Sequence, residues 1–439
     1  MRGKTNIPNR KDPIINGDVR NFIVAQNNTI AKGDFVSVVR DSTYRTLSNV
    51  SSTYVYKKLY DTVNKKMLVV MQSSNVYYAM ILHYTSIGVE VLNQVVLNGV
   101  PTIFDFNIST NSLYYVTTTG TQVIHKYSIV NDEIIEQTDI PFTLFTTDTV
   151  IGIAVFGNDE HIAFVHRSSS VDDMGYIRIC SEMNGSYQLV VTDTQVGYEC
   201  IYTGSGSDCI VCIARETSSS SIAWLYKFSN YSVQSQTINK DSMSINNTIL
   251  EASYSVYDIQ IIGNSLYYVA GERQTLSSYR YYYRPSFGKV NFLTMTVEFE
   301  TRYTTNDYAS WSVWDVNYFD EDTFIITSVG GVNSSIGGTI IFIVTESEQG
   351  VFNVAEAKFT EITYGGGSGA FFEDNDLKIV SYTSNGVLEY SFIVNSLGIF
   401  YGEPTNYVKE YDSMYAIGFA KTSGTAGDTI QVYVPHNNS

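Results

Sequence analysis

Hydrophobic and polar positions along the chain repeat one simple unit seven times. In each unit a short polar turn precedes a run of about four apolar residues. One anchor residue near the start of each run lies roughly 46 to 58 residues from its counterpart in the next unit. The seven anchors are Met67, Leu113, Ile162, Ile210, Leu266, Phe324 and Leu377. Further short runs surround each anchor, enough for four strands joined by short turns, which is typical of a β-propeller blade.

The periodicity of the chain favours strands throughout. No stretch keeps the 3.6-residue period of an amphipathic helix, and only 7 prolines interrupt the pattern. The sequence therefore predicts an all-β protein with a propeller of about seven blades. Such a ring covers the faces of its sheets and avoids long exposed edges. A β-helix is the alternative, although its repeats would be shorter and more uniform.

Both ends of the chain contain a Gly-Asp turn that leads into an alternating strand. Gly33-Asp34 precedes residues 35–39, and Gly427-Asp428 precedes residues 430–434. The shared pattern suggests two halves of one small β domain. The alternative is that the two ends are unrelated disordered tails.

Ring closure explains how the two ends could meet. A closed ring places its first and last blades side by side, so both chain ends leave from one place. We expect residues 1–46 and 406–439 to form the two halves of a small β-barrel-like attachment domain. Residues 47–405 would be the propeller inserted between them, a topology that is tolerated when the ends of the insert are close.

Charge and hydropathy narrow the classes of partner. Charged residues make up 16% of the chain, against about 25% in typical domains. The net charge of −17 repels phosphate backbones, so we expect no nucleic-acid partner. No apolar run is long enough for a membrane span, and the polar, basic segment 1–13 is no secretory signal. A protein that reaches the outside without such a signal would have to be released by lysis of the cell that makes it.

The four cysteines lie within one short region: Cys180, Cys200, Cys209 and Cys212. Cys209 and Cys212 form a CxxC pair inside an alternating run, where residues three apart point to opposite faces of a strand. A zinc site needs converging thiolates. We expect buried free thiols, with a metal site or a disulfide as the alternative.

Three aspartates are the best candidates for chemistry. Asp105, Asp258 and Asp315 each lie eight or nine residues before an anchor, on the predicted first strand of a blade. First strands line a propeller channel, so these carboxylates could bind a structural calcium ion or act as a glycosidase acid and base. The simplest interpretation is that each one binds backbone at the channel rim. No motif of a serine hydrolase, metalloprotease or nucleotide-binding loop occurs in its required context.

An aromatic segment points to ligand binding instead. Tyr279, Tyr281, Tyr283 and Arg284 lie in an extended fifth repeat. Tyrosine rings stack on sugars and arginine supplies planar donors, so we predict a glycan-binding segment. Plain cross-strand packing of the tyrosines is the alternative.

The terminal segments 19–39 and 416–435 resemble the small β module of tailed-bacteriophage virion proteins. The repeats between them look like the propellers of tail-fibre proteins in phages of Gram-positive bacteria. The resemblance implies a module that attaches the protein to the particle and a larger insert that faces outward. It implies no catalytic residue. The chain lacks the coiled-coil or β-helical shaft of long fibres, so a head, tail or baseplate position is equally compatible.

These inferences predict a non-enzymatic virion structural protein on the particle surface, without a cofactor apart from possible structural calcium. Its partners would be other virion proteins of the capsid, tail or baseplate, and a bacterial surface polysaccharide or protein. Several copies per particle are expected. The alternatives are a propeller glycosidase that acts on cell-surface polysaccharide and a head-decoration protein without a dedicated ligand.

Overall fold

The computed structural model shows an all-β protein, as predicted: the described residues contain strands and turns but no helix, and hence none that could cross a membrane. The structure describes residues 17–24, 29–41, 44–52, 54–61, 64–85, 88–99, 101–107, 109–117, 123–141, 149–167, 174–183, 186–206, 209–215, 217, 223–232, 237–245, 258–277, 280–302, 310–318, 323–333, 336–348, 351–359, 368–373, 376–395, 398–401, 403–410, 418–426 and 428–435.

In the described residues, thirty-six strands are numbered in chain order. They are β1 Gly17–Val24, β2 Thr29–Ile30, β3 Phe35–Asp41, β4 Arg45–Ser48, β5 Tyr54–Asp61, β6 Lys66–Ser73, β7 Val76–Thr85, β8 Gly88–Leu97, β9 Pro101–Asn107, β10 Ser112–Thr117, β11 Val123–Val130, β12 Glu133–Glu136, β13 Ile140–Pro141, β14 Thr149–Phe156, β15 His161–Arg167, β16 Met174–Met183, β17 Ser186–Ser205, β18 Ile210–Arg215, β19 Ala223–Ser232, β20 Thr237–Ser244, β21 Asp258–Ile262, β22 Ser265–Ser277, β23 Arg280–Asn291, β24 Thr296–Arg302, β25 Ser310–Tyr318, β26 Thr323–Asn333, β27 Ile336–Glu348, β28 Val351–Phe359, β29 Ser368–Glu373, β30 Asp376–Thr383, β31 Gly386–Asn395, β32 Gly398–Tyr401, β33 Glu403–Glu410, β34 Gly418–Ala420, β35 Gly424–Thr425 and β36 Thr429–Pro435.

The chain divides into two compact units. One contains both chain ends, residues 1–43 and 391–439, and the other contains residues 44–390. The sequence prediction drew its divisions after residues 46 and 405. The second division observed here falls inside β31.

The unit of residues 44–390 has a β-propeller arrangement of antiparallel sheets that follow one another along the chain. Five sheets contribute four or five strands each to this unit: β5–β8, β9–β13, β21–β24, β25–β28, and β29–β31 with β4. A sixth, β14–β20, has seven strands. All seven anchor residues lie at the start of a strand and are at most 1% exposed. The apolar runs of the sequence thus form strands whose two faces are both buried in the fold.

Residues with positive φ shape the turns before several of these anchor strands. Lys65, Asn111, Asp159 and Gly263 have φ between 50° and 70°. Two-residue hairpin turns need this left-handed conformation, which glycine, asparagine and aspartate adopt at little cost. The polar turns seen in the sequence therefore also set the strand connections.

The ring closes where the first sheet meets the last. Met67 and Met80 of the first sheet share one core cluster with Val380 and Tyr382 of the last. β4 also pairs with β31, so the last sheet takes strands from both ends of this unit. Burying apolar faces against each other at this junction stabilises the ring by roughly 25 cal/mol per Å² of apolar surface removed from water.

An ion pair between an exposed arginine and a buried glutamate reinforces this closure. The Arg45 guanidinium donates to the Glu389 carboxylate at 2.6 Å and to the Val89 carbonyl, and Val89 N–H donates to the same Glu389 at 2.7 Å. Glu389 is 4% exposed and Arg45 is 45% exposed, so the arginine brings its charge from the surface to a buried carboxylate.

Asp159 ties the second sheet to the third. Its carboxylate accepts hydrogen bonds from Lys126 Nζ at 2.8 Å, Thr110 Oγ1 at 2.6 Å and Asn107 Nδ2 at 2.8 Å. Burial by itself would raise the pKa of Asp159, but the hydrogen bonds from Lys126 and Thr110 and the positive charge of Lys126 hold it below its ordinary value. The carboxylate therefore stays charged in the folded chain at neutral pH.

In the unit of both chain ends, five strands pair in the closed order β1-β33-β3-β34-β36, and β2 pairs with β35. β1 runs antiparallel to β36 from Gly17↔Pro435 to Ile23↔Thr429. Six buried apolar residues fill the core: Val24, Ile30, Val36, Ala420, Ile430 and Val432. Residues from both ends of the chain thus share one core.

The two Gly-Asp turns have matching hydrogen bonds. Asp34 Oδ2 accepts the Ala31 N–H at 2.7 Å, and Asp428 Oδ2 accepts the Thr425 N–H at 2.8 Å. Each aspartate closes its turn by bonding the residue three positions earlier. The bonds from Thr425 also hold the pKa of the exposed Asp428 below its ordinary value.

The halves also bond each other reciprocally. Ala420 N–H donates to the Asp34 carbonyl at 2.8 Å, and Val24 N–H donates to the Asp428 carbonyl at 2.9 Å. Each turn thus binds backbone from the opposite end of the chain.

Candidate binding site in the propeller channel

A cavity of about 120 Å³ lies among the first strands of three propeller sheets and one end of β17. We call it the channel cavity. Its wall comes from β5, β9, the C-terminal part of β17 and β21, with the turns after them. It is lined by Lys58, Leu59, Asp105, Phe106, Asn107, Ser109, Tyr202, Ser205, Gly206, Ile259, Gln260, Ile261 and Gly263.

The three predicted aspartates lie on the first strands of three sheets, but not at one register. Asp258 pairs with Val269 and Asp315 with Thr327, in both cases three residues after the anchor. Asp105 pairs with Tyr114, one residue after its anchor. The prediction that the three occupy nearly the same place is wrong for Asp105, because the turn after β9 is longer than the turn after β21. Asp105 lies two residues nearer its turn than the others.

Asp105 acts as a clamp between sheets. It is 2% exposed, and its Oδ2 accepts the Val155 N–H at 2.7 Å and the Ser205 hydroxyl at 2.9 Å. Val155 belongs to β14, the first strand of the next sheet. The carboxylate therefore satisfies the Val155 N–H, a buried backbone donor that pairs with no carbonyl of a neighbouring strand among the described residues.

Asp258 repeats the clamp two sheets further on and adds an ion pair. Its Oδ2 accepts the Val316 N–H of β25 at 3.3 Å and lies 2.8 Å from Lys58 Nζ. Lys58 is 3% exposed and also donates to the Ser368 carbonyl at 2.9 Å. Lys58 thus links β5, β21 and β29.

Tyr202 and Gln260 complete the polar wall. Burial raises the pKa of Tyr202, and the nearby carboxylates of Asp105 and Asp258 raise it further. Its phenol therefore stays protonated and can donate a hydrogen bond. Gln260 is 4% exposed, and its Nε2 donates to Asp258 at 3.4 Å.

The side chain of Asp315 lies outside the described residues, so its predicted role stays a prediction. Among the described residues, no group of three or more His, Cys, Asp or Glu side chains is arranged to hold a metal ion. The Lys58 ammonium already lies against Asp258, where a calcium ion would need free oxygen ligands.

The predicted glycan-binding segment lies on a long hairpin. Tyr281, Tyr283 and Arg284 belong to β23, where their backbones pair with Thr275, Arg273 and Glu272 of β22. Their side chains and all of Tyr279 lie outside the described residues. We call residues 271–277 and 280–285 the β22–β23 ribbon. Among the described residues, β21 pairs with β22 as far as Val269, and β24 pairs with β23 as far as Ser286. The described part of the ribbon consists of β22 and β23 paired with each other.

All four cysteines are free thiols. Cys209 packs in one core cluster and Cys212 in another, as opposite strand faces require. Burial raises the pKa of the Cys180 thiol to about 12.

Sequence reasoning missed Lys58, Tyr202, Ser205 and Gln260. Lys58 and Gln260 interrupt otherwise apolar strand positions, and a buried polar residue in such a run is the signal that marks them. The sequence carried no signal for Tyr202 because tyrosine is common throughout the chain.

No protein-family model matches the chain, and no curated protein matches its sequence. Among solved structures, it is similar to Hsv2 of Kluyveromyces lactis, with 12% identity and a TM-score of 0.47 over 82% of this chain and 99% of that one. A Lactobacillus plantarum protein has 13% identity and a TM-score of 0.42 over 72% and 86%. A candidate 6-phosphogluconolactonase of Bacteroides uniformis has 12% identity and a TM-score of 0.45 over 77% and 94%. At these values the likenesses carry no argument about function.

Proposed function

We propose that this chain is a structural protein of a tailed-phage particle. The strands of both chain ends attach it to the particle, and the propeller is displayed to bind host-surface glycan. The observation that carries the proposal is the matched pair of Gly-Asp turns, each closed by its own aspartate and bonded to the opposite end of the chain. These turns are the segments on which the resemblance to virion modules rests.

We infer seven blades for the displayed propeller. In the seven-stranded sheet, the first part of β17 pairs with β16, and residues 202–205 pair with β18. The outer strand of one blade normally continues into the inner strand of the next, so β17 would serve two blades. The presence of two anchors, Ile162 and Ile210, in this one sheet supports that count.

The state of the channel carboxylates favours binding over hydrolysis. A glycosidase needs one protonated and one free carboxyl group beside the scissile bond. Asp105 instead accepts two hydrogen bonds from protein donors, and Asp258 pairs with Lys58. Both carboxylates hold neighbouring sheets together, which supports the non-enzymatic role.

The β22–β23 ribbon is our proposed contact with the host polymer. Its described strands carry three of the four predicted glycan-binding residues, Tyr281, Tyr283 and Arg284. Its sequence adds Arg273, Arg280 and Arg284 against one acid, Glu272, in a chain of net charge −17. Arginines reduce repulsion from an anionic cell surface and supply planar donors.

Two measurements test the proposal. In lysates that contain the phage particles, the chain should co-sediment with them through a density gradient, and antibodies against it should label intact particles. Recovery of the chain only from the soluble fraction would refute attachment.

The binding role is tested with full-length chain on purified host cell-wall polysaccharide. Binding should survive the triple change Asp105→Asn, Asp258→Asn, Asp315→Asn and should fall with Tyr281→Ser plus Tyr283→Ser. Release of reducing sugars that the triple change abolishes would establish the glycosidase instead. Particle attachment without any glycan binding would leave the head-decoration role.

A further inference from the structure

We infer that the channel cavity is a binding site for a single uncharged sugar residue. This inference rests on the proposed function for the source of the sugar, the host-surface glycan. It adds a second site, separate from the β22–β23 ribbon, and assigns a ligand class to it.

The size of the cavity sets the size of the ligand. A water molecule needs about 10–15 Å³ of cavity volume, so the cavity of about 120 Å³ accommodates on the order of ten heavy atoms. One sugar ring with its hydroxyl groups is of this size. Drug-sized ligands occupy about 300 Å³ or more and would not fit.

Four buried polar side chains make this cavity a built site rather than a packing gap. Lys58, Asp105, Asn107 and Gln260 are each 5% exposed or less, and all line it. Burying such groups costs free energy unless they find hydrogen-bond partners. An empty defect between sheets would be lined by apolar side chains instead.

The charges in the wall exclude a charged ligand. Lys58 Nζ pairs with Asp258 at 2.8 Å, and Asp105 accepts bonds at 2.7 and 2.9 Å. A cation would compete with Lys58 for its carboxylate partner, and an anion would face the Asp105 carboxylate in the wall. Neutral hydroxyl groups can instead add to these groups without displacing a partner, because each sugar hydroxyl both donates and accepts.

The rest of the wall fits the apolar face of a sugar. Leu59, Phe106, Ile259 and Ile261 line the cavity beside the polar groups, together with the Tyr202 ring. Pyranose rings present C–H groups on one side and hydroxyls at the edge. The aromatic and aliphatic residues suit the C–H face of the ring, and the Gln260 amide and Tyr202 phenol suit its hydroxyl groups.

The test uses full-length protein and free sugars: glucose, galactose and N-acetylglucosamine, with glucuronic acid and glucosamine as anionic and cationic counterparts. Saturation-transfer NMR at about 10 mM sugar detects a dissociation constant near 1 mM. At least one neutral sugar should bind, and Gln260→Leu should weaken that binding at least tenfold.

A plug variant has a matched control. Ser109 is an exposed turn residue at the cavity, and its hydroxyl bonds Asn107 two residues away. Thr294 is an exposed turn residue of β23–β24, and its hydroxyl bonds Thr296 two residues away. Ser109→Phe should abolish sugar binding, whereas Thr294→Phe should leave it unchanged.

Three results would overturn the inference: no neutral sugar binds, a charged sugar binds more tightly than its neutral counterpart, or Ser109→Phe binds as well as the unmodified chain. Each of these leaves the proposed function standing if host polysaccharide still binds through the ribbon. The proposed function fails on other results, namely no binding to intact polysaccharide and no association with particles.

Discussion

The clamp between sheets made by Asp105 can be tested by removing it in two steps. Asp105→Ala deletes both acceptor oxygens and leaves the Val155 N–H buried without a partner. Asp105→Asn keeps one neutral acceptor at the same place. A structural clamp therefore predicts a graded loss, in which the Ala change destabilises the propeller more than the Asn change.

The magnitude follows from the bonds. A hydrogen bond to a charged group contributes about 1.5–3 kcal/mol, and an orphaned buried donor costs about 1–3 kcal/mol. The Ser205 hydroxyl can rotate to another partner, so we count mainly the Val155 bond. We expect Asp105→Ala to lower the free energy of unfolding by about 3 kcal/mol and Asp105→Asn by about 1 kcal/mol. For a unit of residues 44–390, about 3 kcal/mol corresponds to roughly 4 °C in Tm.

Tryptophan fluorescence is a suitable assay because Trp224, Trp311 and Trp314 all lie in the unit of residues 44–390. Thermal and urea unfolding of the full chain then report on the propeller. Asp241→Asn, at a side chain 55% exposed, is the control and should change stability by less than about 0.5 kcal/mol. If Asp105→Ala leaves Tm unchanged or raises it, the clamp is refuted, and a strained, function-bearing carboxylate becomes the better account.

Three further outcomes follow from the structure. Lys58→Met should lower the free energy of unfolding by about 2–3 kcal/mol, which is at or below the range for breaking a buried ion pair because Asp258 is 23% exposed. In urea titrations, adding Asp258→Asn should restore part of this loss. No recovery of stability would contradict the pairing. Gly386→Ala, at φ +125°, should lower the free energy of unfolding by several kcal/mol because a Cβ there would collide with a backbone oxygen of β4. Gly33→Ala, at φ +93°, meets no neighbour and should lower it by about 1 kcal/mol. Equal losses of stability in the two variants would contradict this. Because the pKa of Asp159 is lowered in the folded chain, its contribution is complete above the ordinary value of 3.8 and is lost as pH falls through the folded pKa. The stability gap between the unmodified chain and Asp159→Asn should therefore narrow from pH 7 to pH 3, and a constant gap would exclude that linkage.

The strands that carry the anchors could be predicted from the sequence because two local signals agree there. At Leu113 and Leu266, an apolar run follows a turn residue with positive φ, so strand content and connection are both encoded within a few residues. Burial of the anchors then follows from the hydrophobic effect alone.

The register of the channel residues could not be predicted in the same way. Asp105 and Asp258 have equal spacing from their anchors in sequence, but hairpin turns of different length place them two residues apart in register. Turn length is fixed by local backbone conformation, which spacing does not report. Lys58 escaped prediction for another reason, because its partners lie about 200 and 310 residues away in sequence.

The pairing of β4 with β31 has a consequence for the order of assembly. Bringing the ends of a chain segment of about 350 residues together costs on the order of 5 kcal/mol in conformational entropy. The folded propeller has already met this cost, because Arg45 and Glu389 are strand partners at its own two ends. A truncated or incompletely folded propeller would leave the two terminal halves to find each other as distant parts of a flexible chain. Pairing of the chain ends thus depends on a complete ring, so under the proposed function only finished molecules would be incorporated into the particle.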